Sequence, residues 1–317
     1  MKKLLITSMM LLSLFIIGCG NKTTAPTTTN NNNHSRSFTG NFKFGTFGNA
    51  SALFINEDGS IYMNMDNVLL TIKKEMVTKI SDSQYTIKGQ MPTIKYDTSS
   101  SATAKSIMFA QSTSDMNTVD VSLNLNGGSL SLSGQVNSDN VNANLTEVSG
   151  YIPNDYIGIY FIGDDKNNTE IEIKSDGYIT MKGKQDGIVV VEQEYTDKLI
   201  KLSENEYILN HSSAKRNIPS TGTISFADAE SIVITEAIKY YNISQKDTLK
   251  FENNTLTITG QGLTATYKDV DTIKKYIDEV AKDNKYLEKL DDIERRNLFS
   301  LFSLQLGEET SQTINKK

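Results

Sequence analysis

Two long stretches of this chain read alike, and that repetition limits its folds more than any other feature. Leu53–Met63 (LFINEDGSIYM) returns as Ile171–Met181 (IEIKSDGYITM), with Ile55, Asp58, Gly59, Ile61 and Met63 recurring as Ile173, Asp176, Gly177, Ile179 and Met181. Ile80, Ser81 and Tyr85 match Leu202, Ser203 and Tyr207, and Ala102–Ile107 matches Ala227–Ile232. Ser122–Gln135 then aligns without a gap to Thr248–Gln261, with Leu123, Leu130, Gly134 and Gln135 identical to Leu249, Leu256, Gly260 and Gln261. The blocks keep their order while the spacing between them lengthens, as it must if only loops differ between two copies. Strand-forming composition alone gives alternation anywhere, but not four blocks in register. A copy of about 115 residues buries around two-thirds of its unfolded surface and folds without disulfides.

Each copy reads as β. Ile171 and Ile173 alternate with Glu170 and Glu172, the period of a half-buried strand. Asp176-Gly177 reverses the chain because glycine tolerates positive φ, and Ile179 and Met181 resume the alternation. Leu249 and Phe251 run into Asn253-Asn254, and Leu256 and Ile258 come back out. Short strands at this spacing indicate antiparallel sandwiches or barrels. The expected body is therefore mainly β: one β-domain over 38–149 and a second over 151–270.

From Asp271 the period becomes helical. Ile273, Tyr276, Ile277, Val280 and Ala281 mark one face, and Leu287, Leu290, Ile293, Leu298, Leu301 and Phe302 mark another beyond a break at Asp283-Asn284. Asp271 is the expected cap and Gly307 the expected stop. This predicts a C-terminal α-helical segment over 271–306, packed on the second β-domain, and a tail over 307–317.

The N-terminus carries an address. Lys2 and Lys3 precede an apolar run, Leu4 to Ile17, that is too short to span a bilayer. A basic start, a short apolar middle and small residues at the end describe a signal peptide over 1–18. Ile16-Ile17-Gly18-Cys19 resembles the lipobox of bacterial lipoproteins, and the sole cysteine of the chain stands at its acceptor position. The resemblance implies lipidation at Cys19, with two or more acyl chains giving stable anchoring where one is marginal. It also implies a membrane partner reached through that lipid and an extracytoplasmic, cell-envelope location. Gly20 in place of Asp favours the outer membrane in a Gram-negative cell. Residues 19–37, rich in Thr and Asn, lack any apolar period and read as a flexible tether.

The two copies carry a second resemblance. Both open on glycine plus an aromatic, Gly45-Thr46-Phe47 and Gly158-Ile159-Tyr160, pass through a strand–Asp-Gly–strand hairpin and close on another hairpin. This order is similar to the small lipocalin-like domains of bacterial lipoproteins, with Phe47 and Tyr160 standing where lipocalins carry Trp. It implies two tandem meandering β-barrels.

Chemistry is sparse. A single Cys excludes an intramolecular disulfide and a Cys-cluster metal site. Only His34 and His211 are available to a metal, and a net charge of −6 argues against a nucleic-acid partner. No phosphate loop, His-Glu-x-x-His or Gly-x-Ser-x-Gly is present. His34 lies in the tether, and His211-Ser212-Ser213 stands outside the shared unit. Asp164-Asp165-Lys166-Asn167-Asn168 offers oxygens without the Gly and Glu of an EF-hand loop. Tyr85 and Tyr207 recur and read as core aromatics with hydroxyls at the rim. No catalytic, metal or cofactor site is expected. The expected role is a membrane-anchored binding module for a small apolar ligand or peptide; the alternative is an adhesin-like envelope protein with a protein partner, acting through the outer faces and loops of filled barrels.

Overall fold

The structure, a computed structural model, describes residues 40–47, 50–56, 58–65, 68–92, 95–97, 105–108, 116–148, 152–215, 223–240 and 242–317. The fold is mainly β, with every strand pair of known direction antiparallel. The chain divides into two compact units, one from Gly20–Met91 with Asn117–Gly150, the other from Pro92–Met116 with Tyr151–Lys317. One unit boundary falls at Gly150. Pro92–Met116, however, leaves the first unit and folds with the second.

The first unit is built from β1 (Gly40–Phe47), β2 (Ala50–Ile55), β3 (Ile61–Met65), β4 (Val68–Ile72), β5 (Val77–Ser81) and β6 (Gln84–Pro92). After β7 (Lys95–Asp97) and β8 (Lys105–Met108), which belong to the other unit, it resumes with β9 (Met116–Asn126), β10 (Ser129–Val136) and β11 (Asp139–Glu147). Neighbours in the ladder run β4-β3-β2-β1-β11-β10-β9-β6-β5. Ile55 faces Ile61 across the Asp58-Gly59 turn, where Gly59 adopts φ 86° and Asp58 accepts the Ser60 N–H at 2.9 Å. Phe42, Leu53, Ile61, Leu123, Leu130 and Leu145 are buried; Leu123 and Leu130 are inward positions of alternating strands, whereas β2 is buried on both faces from Ala52 to Ile55.

The second unit contains β12 (Gly158–Gly163), β13 (Asn168–Ile173), β14 (Ile179–Gln185), β15 (Ile188–Tyr195), β16 (Ile200–Lys201), β17 (Glu206–Asn210) and β18 (Ala214–Lys215). There follow α1 (Phe226–Tyr240), β19 (Ile243–Glu252), β20 (Thr255–Tyr267), α2 (Val270–Lys282), α3 (Tyr286–Lys289), α4 (Asp292–Phe299) and β21 (Phe302–Lys316). Its ladder runs β15-β14-β13-β12-β21-β20-β19-β17-β16. Position by position this is the order of the first unit.

Neither ladder closes into a barrel: among the described residues no rung joins β4 to β5 or β15 to β16. The cause lies in the fourth strand. Following the antiparallel pairings round the second unit makes β15 and β16 run the same way, with 196–199 between them. There Thr196 N–H extends the β15–β18 pairing by bonding the Ser213 carbonyl at 2.9 Å, and Leu199 N–H bonds the Gly177 carbonyl at 2.8 Å. The backbone is thus satisfied without a rung between β15 and β16. In the first unit a single 3-10 turn, Lys74–Met76, occupies the same place.

Three expectations need correction. The segment 271–306 is helical only as far as Phe299, and the supposed tail is the long strand β21, paired with β20 from Thr255 to Tyr267. The helices therefore sit inside the last hairpin, and the second unit extends well beyond 270. Phe302 ends the helical face in sequence but opens the alternation Phe302-Leu304-Leu306, and β21 also pairs with β8 and β12. Asp269, rather than Asp271, caps α2, its carboxylate accepting from Thr272 N–H at 3.1 Å. Finally, Ala102–Ile107 and Ala227–Ile232 are not equivalent: Lys105–Met108 is strand, whereas Ala227–Ile232 lies in α1, whose start Ser225 caps by accepting from Asp228 N–H at 3.1 Å.

Candidate functional site

The inside of the second unit is occupied. Tyr156 stacks on Phe251 at 4.5 Å, while Tyr160 and Tyr207 meet Phe251 edge-on at 5.8 and 5.5 Å. Ile171, Ile173, Met181, Leu249, Leu256 and Ile314 pack with them. Tyr160, the aromatic of the opening motif, is 1% exposed and donates its hydroxyl to the Tyr156 carbonyl at 3.0 Å. Tyr207 is equally buried, but its hydroxyl has no hydrogen-bond partner, so the rim position expected for it does not hold. Burial, with a smaller contribution from Tyr156, pushes both phenols up to about 12. Tyr85, the counterpart of Tyr207, lies half-buried on β6.

A polar pair sits within the same unit. His211, just beyond β17, meets Asp247 of β19 through its Nε2, and both side chains are almost wholly buried. Tyr195 of β15 turns its ring edge-on to His211 at 6.1 Å. Burial, and then the Asp247 carboxylate, push the Tyr195 phenol above its usual value. The second Asp247 oxygen has no partner and lies against Gly260, where any Cβ would collide with it. Beside the pair, Ser213 gives its hydroxyl to the Asn210 carbonyl at 2.8 Å, and Asn210 gives its amide to Asp197 at 2.8 Å. Among the described residues no group of three or more His, Cys, Asp or Glu could hold a metal.

His211 is conspicuous in the sequence as one of two histidines; Asp247 carries a fainter signal, an acid inside an alternating strand at the place where the first repeat has Val121. Counting from Tyr85 and Tyr207, His211 corresponds to Gly89.

The remaining features are on the surface. An open cleft of about 290 Å³ is lined by Lys174, Asp176, Tyr178, Thr180, Glu194 and Lys215, with the Lys198 ammonium 5.6 Å from the Tyr178 ring centre. A second, of about 510 Å³, runs along Ser131, Ser133, Asn142 and Asn144 of β10 and β11. Asp164 spends its carboxylate on its own turn, accepting from the Asn167 and Lys166 N–H groups at 2.7 and 2.8 Å, which holds it below the usual carboxylate range. At the tip of the β14–β15 hairpin Ile188, Val189 and Val190 are 69%, 46% and 51% exposed. Cys19 and His34 lie outside the described residues. Among the described residues no helix is long and apolar enough to cross a membrane. No family model, curated protein or solved structure matches the chain.

Proposed function

We propose that this chain is a lipid-anchored envelope protein of two tandem lipocalin-like units that works through its outer faces, holding a protein partner rather than enclosing a small ligand. The observation that carries this reading is the packed aromatic cluster inside the second unit, where Tyr156 stacks on Phe251 and Tyr160 and Tyr207 meet it edge-on. A barrel that carries an apolar ligand needs a connected apolar cavity of a few hundred Å³ with a mouth. The two clefts described above are open and lined largely by polar and charged side chains. A meander whose first and last strands pair, found in both units, supports the lipocalin-like assignment. The lipobox-like Ile16–Cys19 and the tether behind it support the anchor and the extracytoplasmic location.

Titration of the full chain in detergent with a fluorescent fatty acid tests the central point. No saturable binding is expected, and one-to-one saturation would return the role to carriage of an apolar ligand. For the anchor, cells expressing Cys19→Ala should incorporate no radiolabelled palmitate into this protein. Label retained by that variant would remove the lipid from the proposal.

A further inference from the structure

The β14–β15 hairpin is longer than its counterpart. In the first unit the equivalent hairpin closes with Met65 opposite Val68. In the second the ladder continues through Lys184 opposite Val189 to Gln185 opposite Ile188, with a bulge between Gly183 and Lys184. The added length carries the three exposed apolar residues Ile188, Val189 and Val190. Natural sheets guard such edges with charge, proline or cover. Here the run Ile188–Val191 holds neither charge nor proline. Among the described residues β15 has a strand on its far side only at Glu194 and Tyr195, which pair with β18.

We infer that this edge adds a strand, and that the strand is the same segment of a second copy of the chain. The sequence around the run is self-complementary. Antiparallel pairing with Ile188 opposite Val191, and Val189 opposite Val190, sets Glu192 against Gly187 and Asp186 against Gln193, so no acid meets an acid. Apolar side chains from both copies then cover one another, and main-chain groups supply the hydrogen bonds. An anionic bilayer is the poorer occupant, because Asp164, Asp165 and Asp186 share this end of the unit, and Lys182 and Lys184 are engaged by Glu192 and Glu170. The inference rests on the proposal that outer faces do the work. Its failure would leave the fatty-acid titration unaffected, so the two fail separately.

The test uses the full chain in cells and in detergent. Cells making Val189→Cys and Val190→Cys chains together should yield a disulfide-linked dimer on mild oxidation. Ile80→Cys, an exposed apolar site of the first unit, should not. In sedimentation the wild-type chain should run at dimer mass, Val190→Lys at monomer mass with an unchanged thermal melt, and Ile80→Lys as wild type. A monomeric wild-type chain, or a dimer indifferent to Val190→Lys, overturns the inference. So does a monomer that floats with phosphatidylglycerol vesicles and loses them through Val190→Lys, which would give the tip to lipid instead.

Discussion

Asp247 and Val121 hold the same place in two versions of one strand pair, each facing a glycine, Gly260 or Gly134, across the ladder. The first version is apolar there; the second holds a carboxylate that His211 must answer. Removing His211 takes away the imidazole that answers the buried Asp247 carboxylate, at a cost of about 3–5 kcal/mol. His211→Ala should therefore destabilise strongly in urea melts. Adding Asp247→Val, which restores the residue of the first repeat, should recover part of that loss, with a coupling of about 0.5–3 kcal/mol. Two additive single effects would mean that the pair is not a unit. Tyr207 gives the opposite sign. Its hydroxyl is buried without a partner, so Tyr207→Phe should be neutral or stabilising by about 1 kcal/mol. It should also blunt alkaline unfolding. Tyr160 and Tyr207 are raised to about 12 in the folded chain, so the stability they lend is intact below the free phenol value of about 10 and lost as pH climbs through the folded value. Thermal melts of wild type and variant should diverge across that window and run parallel below it.

At the scale of elements, what was legible in the sequence is what local chemistry decides. Asp58-Gly59 and Asp176-Gly177 between alternating apolar residues mark hairpins because the turn and the period are both written in neighbouring residues. β21 was hidden because Leu298, Leu301 and Phe302 satisfy a helical period, and only distant partners, β20, β8 and β12, make Phe302 the start of a strand. Ala227–Ile232 misled for the same reason: a short run of small and apolar residues serves helix or strand, and the Ser225 cap with a longer apolar face decided for helix. The helical insert in the last hairpin depends on its caps. Thr272, through its hydroxyl and then its N–H, holds the Asp269 carboxyl below its usual value. The stability this lends is present above the ordinary carboxylate range and fades as pH falls through the lowered value. Asp269→Asn keeps a good cap without a titrating group. It should flatten the acid limb of the melting curve, whereas Asp269→Ala should lower the melting temperature at neutral pH as well. An acid limb unchanged in the Asn variant would remove Asp269 from that role.

Across the whole molecule, the repeat is legible where strands form it and silent where loops interrupt it. One strand order serves both units, broken at the same fourth strand, yet the insertions differ: β7 and β8 after the sixth strand of one, β18 and α1 in the other, and α2 to α4 before the last. Composition alone could not assign Pro92–Met116 to the second unit, because that membership comes from Lys105–Met108 pairing with Ser303–Leu306. The division can be tested by deletion. Leu125 N–H bonds the Ser83 carbonyl at 2.8 Å, as Phe251 N–H bonds the Asn205 carbonyl beside the antiparallel β17–β19 pair, and counting β6 against β9 in that same register brings Pro92 opposite Met116, where a hairpin turn would join them. A chain in which a short Asn-Gly turn replaces 93–115 should therefore keep every rung of the first unit and melt cooperatively. Hydrogen exchange should rise at Ser303–Leu306, which lose one neighbour, while the amides of Leu123 and Leu132 stay protected. Exchange spreading instead through β9 and β10 would mean that the first unit needs the excised segment, and that the two units are one folding body.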